Sequence, residues 1–141
     1  RQTIFYPYFH ASNYGRGTAL DVSLKCGCYD DREFGSVPFI EAVATLDEEN
    51  KTITLFAVNR NIDNDVILEC DMSDFSTYRV IEHITMTHVD IKAVNTIKAP
   101  KNVVPVSNGD AKITDGKLYA TLRKLSWNVV RLNKVKNVKS L

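Results

Sequence analysis

Cysteine is scarce in this chain, and the little present does not pair. There are three: Cys26, Cys28 and Cys70. The odd count leaves at least one thiol free, and a Cys26–Cys28 bridge would close a very small, strained ring. A zinc centre needs a second cysteine pair or histidines at ligand spacing, and neither is present. Reduced thiols in a cytoplasmic protein are the expectation. Histidine is equally sparse. His10, His83 and His88 form no H-x-x-x-H or H-E-x-x-H pattern, so ordinary surface or hydrogen-bonded roles are expected and no metal ligand is assigned. No apolar run approaches the roughly 20 residues of a membrane helix. A net charge of +1 gives no reason to expect a nucleic-acid or membrane partner. There is no nucleophile elbow, no P-loop and no dinucleotide fingerprint. Gly15-Arg16-Gly17 lacks the strand and the Lys-Ser/Thr context that a phosphate loop requires. No cofactor site is therefore assigned. The chain opens on Arg1 with neither Met nor a signal-like start, and the expectation is that residue 1 is a cut inside a longer protein.

What is present is β-forming. With 141 residues, 44% of them hydrophobic and 25% charged, one domain with a real core is the natural reading. The stretch Thr52–Arg60 organises the rest. Ile53, Leu55 and Ala57 point one way in an extended chain, and Thr54, Phe56 and Val58 the other. Both faces are largely apolar, which predicts a strand with neighbours on each edge and cover on each face. Ala19–Lys25 alternates as a half-buried strand, and Cys26–Pro38 reads as a loop. Phe39–Leu46 is a further strand, joined to Thr52–Arg60 by the charged turn Asp47–Lys51. Asn61–Asn64 is a polar turn, followed by a strand over Val66–Cys70 and a connection over Met72–Thr77. Tyr78–Thr87 is a long strand with Val80 and Ile84 inward. His88–Lys112 has no period, and a loop of that length is usually functional or packed against something else. Lys117–Leu122 and Leu125–Leu132 complete the strands, the latter with Trp127 and Val129 opposite Val130 and Leu132. The basic tail Asn133–Leu141 is expected to fray. Seven or eight short strands with turn signals every ten or so residues predict an all-β sandwich or barrel.

The N-terminal segment is different. Aromatics stand at Phe5, Tyr6, Tyr8, Phe9 and Tyr14, and helical spacing puts Phe5, Phe9 and nearly Tyr6 on one stripe. Pro7 is compatible with a helix only in its first turn. Such a segment needs a partner. Residues 3–14 are expected to be helical where one covers them, and displaced or swapped onto another copy otherwise.

Candidate chemistry is thin. Glycosidases need two carboxylates across the scissile bond. Glu41, Glu69 and Glu82 each sit mid-strand between apolar neighbours, where a solvent-facing or cation-paired carboxylate is the ordinary case. Trp127, Tyr119 or Tyr78 could serve as a sugar-stacking platform, although a lone Trp in a closing strand is usually core.

Several segments in order nonetheless carry a resemblance. They are Gln2-Thr-Ile-Phe-Tyr-Pro-Tyr, His10-Ala-Ser, Tyr14-Gly-Arg-Gly17, Val37-Pro-Phe-Ile-Glu-Ala, Thr54-Leu-Phe-Ala-Val-Asn-Arg60, Tyr78-Arg-Val-Ile-Glu-His83 and Leu125-Ser-Trp-Asn-Val-Val-Arg-Leu132. As a set they resemble the C-terminal region of family 51 glycoside hydrolases, the α-L-arabinofuranosidases. The resemblance implies that 1–17 is a remnant of the last helix of a (β/α)8 barrel. It implies that 18–134 is the C-terminal domain, a jelly-roll-like antiparallel β-sandwich, and 135–141 a basic tail. An early strand of the full enzyme would also join the sandwich, so one sheet edge would be open here. Such enzymes remove terminal α-L-arabinofuranosyl groups from arabinose-containing glycans with retention. Their two glutamates lie at barrel strand ends that no position here matches, so no catalytic residue is assigned. The resemblance thus implies a non-catalytic, cytoplasmic domain, inactive alone, that packs on the barrel of its parent and supports a homo-oligomer. A carbohydrate-binding sandwich is the alternative.

Overall fold

The computed structural model describes residues 1–136. Helix α1 (Phe5–Tyr14) is followed by β1 (Thr18–Leu20), β2 (Cys28–Asp31), β3 (Gly35–Pro38), β4 (Ile40–Asp47), β5 (Thr52–Asn59), β6 (Val66–Asp71), β7 (Tyr78–Met86), β8 (Lys112–Thr114), β9 (Lys117–Leu122) and β10 (Ser126–Lys134). A five-stranded antiparallel sheet runs β1-β4-β5-β10-β7, a three-stranded one runs β6-β9-β8, and β2-β3 is a separate hairpin.

Strand β5 is central, as its two apolar faces predict. It pairs with β4 on one edge and β10 on the other, and Ile53 through Ala57 are all buried. Ile53, Leu55 and Ala57 join Val130 and Leu132 in the main core, where they meet Leu68, Leu118, Ala120 and Leu122 of the smaller sheet. This is the sandwich. On the opposite face, Phe56, Val129 and Ile84 form a second cluster with Tyr14 and Trp127, and α1 closes it. The β4–β5 turn is held by Asp47, whose Oδ1 accepts the Asn50 N–H at 3.0 Å.

The structure corrects four expectations. The Cys26–Pro38 segment is not a simple loop, because β2 and β3 pair within it. Asp31 Oδ1 accepts the N–H groups of Glu33 and Phe34 to set the turn. Conversely, β1 takes only Ala19 and Leu20 of the Ala19–Lys25 stretch. Leu20 and Leu24 still pack on the core, so the alternation reports one-sided burial without a ladder. In β7 a bulge falls where β10 passes from Arg131 to Leu132, pairing Arg131 with Glu82 and Leu132 with Val80. The extra residue turns Val80 to the main core while Ile84 stays under α1, so the two lie on opposite faces. Finally, β10 runs to Lys134, and the Val135 N–H donates to the Thr77 carbonyl at 2.8 Å. The expected fraying of 137–141 lies outside the described residues.

One end of the sandwich interior is polar and fully wired. The Ala111 N–H donates to His83 Nδ1 at 3.1 Å, so this nitrogen accepts. His83 Nε2 therefore carries the proton and donates to Asn128 Oδ1 at 3.0 Å. Asn128 in turn donates to Ser126 Oγ at 2.8 Å, and Ser126 donates to the Arg123 carbonyl. Asn128 has no solvent exposure. Gly109 crosses directly over the His83 ring, and a Cβ there would overlap it. Replacing Asn128 with Ala strands the His83 N–H, which loses its acceptor, and removes the donor to Ser126 Oγ. The expected cost is about 1–3 kcal/mol of stability by urea unfolding. A change indistinguishable from zero would show that the network is not carrying this end of the core.

Candidate functional site

The three weighed glutamates are separated and each is neutralised. Glu41 of β4 meets Arg60 at 2.7 Å, Glu69 of β6 meets Lys117 of β9 at 2.7 Å, and Glu82 of β7 meets Arg131 of β10 at 3.2 Å. Each pair bridges to the next strand, the ordinary arrangement for a strand-face carboxylate. Glu41 and Glu82 stand on one sheet face but three strand spacings apart, about 14 Å across the sheet, and are offset further along it, because the register sets Glu82 level with Thr45 rather than with Glu41. Glycosidase carboxylates stand roughly 5–9.5 Å apart. Glu69 belongs to the other sheet.

The candidate sugar platforms are also engaged. Tyr78 is buried, with its ring edge-on to Phe75. Trp127 stacks on Phe56 at a centroid distance of 5.7 Å. Its indole N–H donates to His10 Nδ1 at 3.1 Å. Tyr119, partly exposed as Trp127 is, lies on the smaller sheet beside Lys112 and Asp110. The histidines are all hydrogen-bonded: His10 to Trp127, His83 in the network above, and His88 through Nδ1 accepting the Asp90 N–H at 3.0 Å. Among the described residues no cluster of three or more potential ligands gathers, and the three thiols are free.

The distinctive feature is the junction between α1 and the sheet. The helix is ten residues long, without a side-chain N-cap or acidic first turn, so it is marginal on its own. Pro7 falls in the first turn, where its missing N–H is not needed. The Gly15 N–H closes the C-terminus on the Ala11 carbonyl at 2.9 Å. His10 and Tyr14, one turn apart, form the inward face. Their rings stack at 5.9 Å, and the Arg131 guanidinium lies over Tyr14 at 4.1 Å. The stripe outside is the more apolar one. Ile4, Tyr8 and Phe9 are exposed, Tyr8 to 71%. The helix thus forms on its own sheet with one side covered and the aromatic side open.

A groove of about 440 Å3 opens at the sandwich edge. It lies between Ala42, Ala44 and Leu55 of the large sheet and Leu68 and Met72 beside the small one. Among the described residues strand β6 has no paired neighbour on its outer edge, and the extended stretch Asp21–Lys25 crosses nearby without a ladder.

This sequence matches the family described as the alpha-L-arabinofuranosidase C-terminal domain over residues 1–126. The chain belongs to that family. It is 46% identical over 134 residues to an intracellular exo-alpha-(1->5)-L-arabinofuranosidase of Halalkalibacterium halodurans and 45% identical to one of Bacillus subtilis. Each match covers 95% of this chain and 26% of the relative, so the chain spans about a quarter of the length of these curated relatives. In fold it superposes on a family 51 alpha-L-arabinofuranosidase from Bifidobacterium longum with a TM-score of 0.86 and 32% identity, covering 94% of this chain and 26% of that one. The all-β sandwich is thus the fold it shares with that enzyme over the matched quarter.

Sequence reasoning missed Asn128, Ser126 and Gly109 as structural determinants. The signal was available for Asn128, an amide at a core-facing position of an otherwise apolar strand. It was not available for Gly109, whose role depends on a ring from β7. No described helix is long and apolar enough to cross a membrane.

Burial pushes the His10 imidazole below its ordinary value of 6.5, opposed by the nearby Glu82 carboxylate. The geometry agrees, because the Trp127 indole can only donate and so requires Nδ1 unprotonated. With the folded value below the unfolded one, the stabilisation is complete above pH 6.5 and is lost as pH falls through the folded value. Urea unfolding followed by Trp127 emission should show a midpoint that declines from pH 7.5 to 5.5, with a shallower decline in His10→Gln. Equal slopes in the two proteins would remove His10 as the cause.

Proposed function

We propose that this chain is the non-catalytic supporting domain of an α-L-arabinofuranosidase that works in the cytoplasm. In this reading 1–17 is the end of a catalytic barrel, 18–134 is the sandwich and 135–141 is a tail. The parent enzyme removes terminal α-L-arabinofuranosyl groups from arabinose-containing glycans, with retention. The domain buries a flank of that barrel and supports a homo-oligomer. None of these 141 residues is assigned a catalytic, cofactor or metal role.

One observation carries the reading. The outward stripe of α1 is more apolar than the inward one, which suits a helix packed between two bodies of which this chain is one. Leaving side chains such as Phe9 and Tyr8 in water forgoes roughly 1.5–3 kcal/mol each of available burial. The ion-paired, separated glutamates support the non-catalytic role. The unpaired outer edge of β6 beside an apolar groove suits the extra strand that the resemblance implies.

The expected behaviour is that this chain alone releases no nitrophenol from p-nitrophenyl α-L-arabinofuranoside above the buffer rate. It should also fail to be retained on arabinan, with Trp127 emission unchanged on titration with arabinan fragments. Turnover would overturn the non-catalytic assignment. Retention would favour a carbohydrate-binding module, with Tyr119 as the candidate ring.

A further inference from the structure

The excursion between β7 and β8 has no regular structure, yet it is tightly ordered. Asn95 clamps it by accepting the Val103 N–H at 2.6 Å and donating to the Val103 carbonyl at 2.7 Å. Thr96 and Ala99 close a turn, with the Ala99 N–H on Thr96 Oγ1 at 3.0 Å. The Lys92 N–H is held by Asp90 at 2.9 Å. Val103 is buried, and Val106 bridges to Thr85 of β7. A scaffold this well satisfied would ordinarily turn its apolar side chains inward. Here Val89, Ile91, Val94 and Ile97 point out, and Val89 and Ile97 are essentially fully exposed.

The excursion is also continuous with the open stripe of α1. The Asn95 N–H donates to Thr3 Oγ1 at 3.0 Å, so the clamp grips the chain two residues before the helix. Residues 88–106 carry three lysines, Lys92, Lys98 and Lys101, against one aspartate, in a chain whose net charge is only +1. The exposed aliphatics are therefore set among positive charges.

We infer that His88–Val106 is a preformed docking arm, and that its occupant is the part of the parent arabinofuranosidase polypeptide that also covers α1. This rests on the proposed function above. The chain spans only about a quarter of its relatives, so a body large enough to contact both surfaces is to hand. Because the arm is ordered beforehand, seating it costs little conformational entropy. The arm's charge specifies the facing surface, which is an apolar depression rimmed by carboxylates. The arm and the helix then act as two sides of one corner, with the Asn95–Thr3 bond fixing the angle between them.

The test grafts this chain into the H. halodurans relative in place of its matching 134 residues. Amide exchange of residues 3–14 and 88–101 is then compared between graft and isolated chain. Slowing of at least tenfold in both segments is the expected result. Slowing in 3–14 alone overturns the arm while leaving the proposed function intact. Slowing in neither overturns both. A double substitution, Ile91→Asp with Ile97→Asp, supplies an independent reading. It should leave the urea midpoint of the isolated chain unchanged and shorten the thermal half-life of arabinofuranosidase activity in the graft severalfold. An unchanged half-life overturns the arm. Should the H. halodurans graft be insoluble, the B. subtilis relative is the second host. Failure of both grafts counts against the inference, since a complementary surface should seat at this degree of identity.

Discussion

A sheet that is apolar on both faces needs two covers, and this constraint organises the whole chain. Strand β5 imposes it, with Ile53, Leu55 and Ala57 on one side and Phe56 on the other. The smaller sheet supplies one cover through Leu68, Leu118, Ala120 and Leu122. It cannot supply the second, because a sandwich closes only one face of each sheet. Helix α1 fills that place. Its docking keeps Phe56, Ile84 and Val129 from water, each worth roughly 1.5–3 kcal/mol when fully buried, which exceeds anything a ten-residue helix gains alone. The helix therefore depends on the sheet more than the sheet depends on helical propensity.

The manner of docking explains an inversion in the helix. Its inward face is built around His10 and Tyr14, and its outward face around Ile4, Tyr8 and Phe9. A surface helix normally turns its most apolar stripe inward. Here the inward contact is specified by a hydrogen bond and stacked rings. Trp127 gives its only N–H to His10 and its ring face to Phe56, so the single tryptophan fixes both the position and the rotation of the helix. A purely greasy contact would permit either stripe to dock. A directional bond permits one, and leaves the other stripe facing away from the sandwich.

Much of the sandwich was legible, for reasons visible in particular residues. The two-sided burial of Thr52–Arg60, the β4–β5 hairpin and the opposed faces of β10 all follow from alternation, and alternation reports burial directly. What it cannot report is pairing. Leu20 and Leu24 alternate because one face touches the core, yet Asp21–Lys25 has no ladder. Cys28–Asp31 and Gly35–Pro38 pair while mostly exposed, so no alternation announces them. The bulge in β7 is equally silent, since one extra residue reverses the faces of Val80 and Ile84 without changing a letter. For the candidate site, the separate positions and ordinary ion pairing of Glu41, Glu69 and Glu82 were readable from strand context. The identity of the helix's inward stripe was not, because it turns on the Trp127–His10 bond between residues 117 apart.

The same logic bears on where chemistry can sit in such a chain. A general acid must be held protonated and a nucleophile ionised within one small cleft, which requires unequal environments at close range. This sandwich spends its buried polar groups otherwise. His83, Asn128 and Ser126 are locked donor to acceptor around a closed interior, and each of the three weighed glutamates is tied to a cation, the Glu82–Arg131 pair beneath α1. Groups so committed are held in position by their partners, which suits a scaffold. The surfaces left uncommitted are apolar: the α1 stripe, the groove beside β6 and the 88–106 excursion. Uncommitted apolar surface gains free energy by being covered.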